Sequence, residues 1–328
     1  MAPSGGRVRS TMRAMSCSLP LLFVLITACS RDTPPTPPPS GPAPKEIALA
    51  GPVMIGAGDI AVCGTSGDEK TAKIVDSLIT VDSLAKVESV VFTIGDNAYP
   101  SGPSGVRNDF PRCFSPSWGG PRVMSRIHPS PGNHDYDDGS GEAYFGYFGV
   151  RAGPPGRGYY SYDVGDWHAI SLNSELYFGQ GNDDDIRAQE DWLRSDLRDR
   201  RSACTVAYFH RPLFNSGKYG PTPKMRVLWD ILYQGGVDLV LNGHEHHYER
   251  FLAQTPSGLP DSARGITEII AGTGGGELRG GRPPSRNSVA EIHGHFGVLK
   301  LTLGKGEYRH AFLDTDGRVW DAGSGKCH

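Results

Sequence analysis

The chain has 328 residues, 38% of them hydrophobic and 21% charged, which is the balance of a soluble globular protein able to bury a substantial core. Its net charge is -3, and loss of a leader carrying Arg7, Arg9 and Arg13 would deepen that by three, so nothing in the composition indicates a nucleic-acid binder.

In chain order, residues 1–28 have the layout of a secretory signal: arginines, an apolar run from Leu19 to Ile26, then small residues leading to Cys29. That run is too short to span a bilayer comfortably. Ile26-Thr27-Ala28-Cys29 resembles a bacterial lipobox, in which the cysteine takes a lipid and becomes the new N-terminus, so an extracytoplasmic, membrane-anchored lipoprotein is expected. The proline-dense stretch from Ser30 to Lys45 can neither form a helix nor pair as a central strand and reads as an extended tether. The remaining residues, 46–328, are expected to form one catalytic domain.

Within that domain short apolar runs alternate with amphipathic stretches, the pattern of a layered α/β arrangement. Strands are expected at 53–59, 87–96, 205–210 and 237–243, and helices at 68–79, 183–200 and 225–234. The segment 159–174 reads as a hairpin turning at Gly165-Asp166, and 266–313 as mostly strands. Residues 100–122, rich in Pro, Gly and Ser, read as an irregular insertion. Cys63, Cys113, Cys204 and Cys327 form an even set for an oxidising compartment. Three pairings are open, with Cys63–Cys113 and Cys204–Cys327 preferred because the first two follow successive strand-end loops.

The chemistry lies in five polar clusters at predicted strand ends: Gly58-Asp59, GDNAY (95–99), GNHD (132–135), Phe209-His210 and GHEHH (243–247). Strand ends are where layered α/β folds hold ligands, and glycine before a donor lets the backbone turn sharply. Carboxylates, an amide, a phenol and imidazoles together make a donor set for hard or borderline metal ions. His244 and His246, two apart in an expected extended segment, should face one side, with Glu245 and His247 turned away.

This ordered set resembles the signature of calcineurin-like metallophosphoesterases, over a span from Asp59 to His246. One departure narrows the resemblance. Most members place a histidine two residues after the first aspartate, whereas this chain has Asp59-Ile60-Ala61; purple acid phosphatases share that loss and replace the ligand with the tyrosine of GDxxY, here Tyr99. The resemblance implies a four-layer α-β-β-α sandwich of two mixed sheets flanked by helices, in a compact form without an N-terminal β-sandwich domain. It implies two metal ions: Fe³⁺ held by Asp59, Tyr99 and His246, a divalent Zn²⁺, Fe²⁺ or Mn²⁺ held by Asn133, His210 and His244, and Asp96 bridging them. The implied activity is hydrolysis of phosphate monoesters by a hydroxide bridging the ions, with His134 near the leaving group as proton donor.

Two other readings stay open: a phosphodiesterase or nucleotidase on the same ions, and a non-catalytic surface lipoprotein that binds metal or phosphate. His293 and His295 read as rim or strand residues. Arg279, Arg282 and Arg286 read as a solvated loop, with a clamp on a phosphate-bearing substrate as the alternative. GTGGG (272–276) reads as a tight turn beside the metals and not as a dinucleotide fingerprint, since no helix follows it.

Overall fold

The computed structural model describes residues 50–100, 110–200 and 202–328. The expected signal, the lipid-bearing Cys29 and the proline tether lie outside the described residues. Every described element belongs to one compact unit, Ala48–His328. Among the described residues no helix is long and apolar enough to cross a membrane.

Two mixed sheets form the centre. The first joins β1 (Val53–Ala57), β2 (Ser89–Ile94) and β3 (Ile127–Ser130) in parallel to one another, with β11 (Gly297–Gly304), β12 (Glu307–Asp314) and β13 (Val319–Lys326) continuing antiparallel from β1. The second has the order β10 (Ser288–Ile292), β8 (Tyr248–Phe251), β9 (Thr267–Ala271), β7 (Leu239–Asn242), β6 (Cys204–Tyr208), β5 (Trp167–Ser171) and β4 (Tyr160–Val164). Its inner strands β9, β7, β6 and β5 are parallel, and antiparallel pairs close both edges.

Strand periodicity divides the side chains into three apolar layers. Met54, Phe92 and Ile94 join Val206, Tyr208 and Leu241 between the sheets. Their neighbours Val53, Ile55 and Val91 point the other way, onto α1 (Gly67–Leu84), α2 (Pro121–Met124) and α3 (Glu142–Phe148). Ile170, Ala207 and Val240 face α4 (Asp183–Asp199) and α5 (Arg226–Gln234). The result is the four-layer order helix, sheet, sheet, helix.

Local signals account for most element boundaries. α4 begins at a capping box in which Asn182 accepts from Asp184 and Asp185 amides while Asp185 accepts from the Asn182 amide. The β4–β5 hairpin turns at Gly165-Asp166, as the alternation predicts. α1 runs five residues past its expected end at 79, where its last turn carries buried Asp82, whose carboxylate accepts from Lys300 at 3.2 Å on the neighbouring sheet, a partner that periodicity cannot supply. The expected irregular insertion holds a helical turn at Phe110–Phe114, where Phe110 and Phe114 pack on Phe148 at 5.5 Å. Cys63 pairs with Cys113 and Cys204 with Cys327, the second bond tying the C-terminal end of one sheet's edge strand to a central strand of the other.

Candidate metal centre

The C-terminal ends of β1, β2, β3, β6 and β7 bring the predicted donors together. Asp59, Asp96 and His210 are fully buried or nearly so, and their ligand atoms lie within 4.8 Å of one another. Among the described residues, three of the five non-glycine positions with positive φ are donors: Asp59 (59°), Asp96 (48°) and His244 (68°). Such backbone costs energy and persists only where the surroundings enforce it, which is characteristic of functional sites. Gly95 makes one of these turns possible: its φ is +77°, and a Cβ there would meet His210 Nδ1 at 2.6 Å.

The donors fall into two sets. In the first, Tyr99 Oη lies 3.2 Å from Asp59 Oδ1 and 3.0 Å from His246 Nε2, and that nitrogen is 3.2 Å from Asp59 Oδ1. In the second, His210 Nε2 lies 3.2 Å from Asn133 Oδ1, 3.2 Å from His244 Nδ1 and 3.4 Å from Asp96 Oδ2. Asp96 sits between the sets, and its other oxygen accepts from the His134 amide at 2.7 Å.

Outer contacts fix which ring nitrogen faces inward. His246 donates Nδ1–H to the Glu277 carbonyl at 2.6 Å, and His210 donates Nδ1–H to the Ile94 carbonyl at 2.9 Å. Each Nε2 then presents a lone pair to oxygens that are themselves acceptors, Asp59 for His246 and Asp96 and the Asn133 amide for His210. This is the second-shell pattern of metal-binding histidines. Acceptor facing acceptor is repulsive unless a cation lies between, so the donor set fits metal ions.

In the ion-free chain a proton takes that place. Burial opposes charging His210, yet the Asp96 carboxylate beside it raises its pKa to about 10. Burial, then the charges of Asp59 and Asp96, push the Tyr99 phenol well above its ordinary value. Burial and the neighbouring His210 and Arg211 keep His244 neutral, well below the usual imidazole range. Burial and the Asp96 charge lift the Asp135 carboxyl to about 7, although it accepts from the Gly132 amide and the Asn97 side chain and so shapes the GNHD loop.

One expectation needs correction. The His244–His246 segment is not extended: Glu245 and His247 amides bond back to Gly243 and Glu245 carbonyls, giving consecutive three-residue turns. Both histidines nevertheless reach the centre, and Glu245 and His247 point away into buried positions. His134 lies at the rim, with its ring 4.7 Å from Tyr99 and Nδ1 2.6 Å from Asp137. The GTGGG segment turns against the centre: a Cβ at Gly276 would stand 3.0 Å from both His246 and Tyr99 Oη.

Several residues at the centre escape sequence reading. Arg211 Nε lies 3.0 Å from each oxygen of buried Glu175, and its Nη1 is 3.2 Å from His244 Nε2. The only linear signal was its place directly after His210. Tyr219 stacks on His244 at 5.1 Å and carries the Arg279 guanidinium 5.3 Å from its ring centre, a contact between residues 60 positions apart that no local pattern announces.

Residues 55–248 match the family model described as calcineurin-like phosphoesterase, a span that includes every donor. The chain belongs to this family. It is 29% identical to human acid phosphatase type 7 over 285 residues, covering 73% of the chain and 61% of that protein. It is 32% identical over 183 residues to an uncharacterised protein of Mycobacterium tuberculosis, covering 45% of the chain and 35% of that protein. Among solved structures, the purple acid phosphatase from yellow lupin seeds superposes with a TM-score of 0.67 at 20% identity, covering 85% of this chain and 54% of that one. The chain thus spans less than two thirds of the length of these relatives.

Proposed function

We propose that the chain hydrolyses phosphate monoesters at a centre of two metal ions, one held by Asp59, Tyr99 and His246, the other by Asn133, His210 and His244, with Asp96 shared. The observation that carries this reading is the convergence, from five separate strand ends, of two sets of lone pairs facing one another. When bound, paired ions supply an activated water and positive charge for the phosphoryl oxygens. Asp59, Asp96 and an ionised Tyr99 suit a trivalent ion such as Fe³⁺, while neutral Asn133 and two imidazoles suit Zn²⁺, Fe²⁺ or Mn²⁺.

The remaining work falls to the chain's own groups. Asp137, 2.6 Å from His134 Nδ1, orients the imidazole ring from which a proton is handed to the leaving oxygen. The Glu277 and Ile94 carbonyls hold the two inward-facing imidazoles. We place the mature protein outside the cytoplasm, anchored through a lipid on Cys29; the two disulfides support an oxidising compartment.

The test is the purified full chain loaded with metal and assayed in parallel on p-nitrophenyl phosphate and bis(p-nitrophenyl) phosphate, with metal content and visible absorption recorded. Monoester turnover with two ions per chain and a tyrosinate-to-iron band is expected. Strong diester preference would replace the monoesterase by a phosphodiesterase, and metal binding without turnover of either ester would leave a binding lipoprotein. Mass spectrometry of the mature N-terminus checks the lipid on Cys29.

A further inference from the structure

We propose, on the basis of the phosphatase reading above, that Arg279 and Tyr219 form a second anion subsite beside the metal centre, selecting phosphate esters whose leaving group carries another phosphate or a comparable anion.

The pair sits at the edge of the metal centre. One end touches the centre directly, since the Tyr219 ring packs on the ligand His244 with the planes 28° apart. Tyr219 is 51% exposed, so the rest of this large aromatic faces solvent at the mouth. The guanidinium of half-buried Arg279 rests on that ring, and the Lys218 ammonium approaches it at 5.6 Å. Arg282 adds a third cation, its Nη1 standing 2.6 Å from where a Gly220 Cβ would be. Two acids lie near this rim: Glu277, which is exposed and gives its backbone carbonyl to the centre, and Glu291, whose carboxylate is paired with His293. A planar guanidinium braced on an aromatic is suited to bind phosphate or carboxylate in bidentate fashion.

Both loops are held by buried groups that the hydrolytic reading leaves unexplained. Glu245, fully buried, accepts from the Tyr219 amide at 2.9 Å. Glu249, also fully buried, accepts from the Ser216 amide and hydroxyl at 2.8 and 2.5 Å, and the Ser216 hydroxyl in turn accepts from the Ser285 amide at 2.7 Å. The Arg279 backbone is held at both ends: its amide donates to the His246 carbonyl at 3.2 Å, and its carbonyl accepts from His293 Nδ1 at 3.1 Å. His293 is paired with Glu291 through Nε2 and stacked on buried His247. A solvated loop has no need of such anchoring. The network fixes a cation at a set distance from the ligand histidines, and a bisphosphate requires that arrangement.

The experiment compares metal-loaded full chain on glucose 6-phosphate and glucose 1,6-bisphosphate, following released phosphate. Wild type should show the higher kcat/KM on the bisphosphate, and Arg279→Ala should reduce the ratio of the two values about tenfold through KM, with Arg279→Lys between them. Arg286→Ala, on the same loop but without contact to Tyr219, should leave the ratio unchanged. Turnover with the same ratio in wild type and Arg279→Ala would overturn the subsite and leave the phosphatase reading standing. If neither ester is turned over, the phosphatase reading fails, and calorimetry with inorganic pyrophosphate against inorganic phosphate decides the subsite. Tighter pyrophosphate binding that Arg279→Ala abolishes supports it; equal binding by both proteins overturns it.

Discussion

Tyr99→Phe tests the proposed centre at the phenol assigned to the ferric ion. In the ion-free chain the phenol is held protonated far above its usual range by burial and by Asp59 and Asp96, so at neutral pH it must lose a proton to become a ligand. His210, with a pKa of about 10, must lose one as well. Metal binding that expels a proton strengthens about tenfold per pH unit, or about 1.4 kcal/mol, for each proton released, at any pH below the ion-free pKa. Both groups remain protonated from pH 5 to 8, so both contribute throughout that window. Phenylalanine keeps the ring and removes the acidic oxygen. Loading ion-free protein with ferric citrate should therefore release one proton fewer per ion in Tyr99→Phe than in wild type, as read by a pH-sensitive dye, and the pH slope of log affinity should fall by about one. The visible band should vanish in the variant. Equal proton counts would mean that Tyr99 stays a phenol, and its role as a ligand would be lost.

Three further outcomes are expected. His134→Ala should lower kcat about a hundredfold or more while metal content stays constant, and Asp137→Asn should do so less severely; unaltered turnover would remove His134 as proton donor. Gly95→Ala places a Cβ 2.6 Å from His210 Nδ1 at a φ of +77°, so it should cost about 1–3 kcal/mol in thermal denaturation and reduce occupancy of the His210 ion, measured by metal analysis. At His168, burial disfavours the charged ring, but Asp196 at 2.7 Å and Asp163 at 2.9 Å raise its pKa above 6.5. The stability this gives is fully present below pH 6.5 and is lost as pH rises through the higher folded value. The Tm gap between wild type and His168→Gln should thus be larger at pH 6 than at pH 9, and a gap that widens with pH would refute the pairing.

Asp59, Asp96 and His210 were legible because each closes a short apolar run, and a strand must end where its polar donors begin, whereas Asn133 and His134 follow the Pro- and Gly-containing stretch 129–132 and were legible only through the resemblance of the ordered motifs. The helix at 183–199 and the turn at Gly165-Asp166 were legible for the same kind of reason: capping and alternation act between residues a few positions apart. The turns that aim His244 and His246 were not. The positive φ of His244 is enforced by Asp59 Oδ2, which accepts its amide at 2.8 Å across 185 residues.

Taken alone, the sequence established the order of the donors, their chemical types and the strand ends that would carry them, since these follow from local hydrophobic periodicity and side-chain chemistry. Only the tertiary structure decided which imidazole nitrogen faces inward, how Arg211 meets Glu175, and that Arg279 lies on Tyr219. Those choices come from contacts between distant segments, where the packing of two sheets selects one geometry from many that the same residues could adopt.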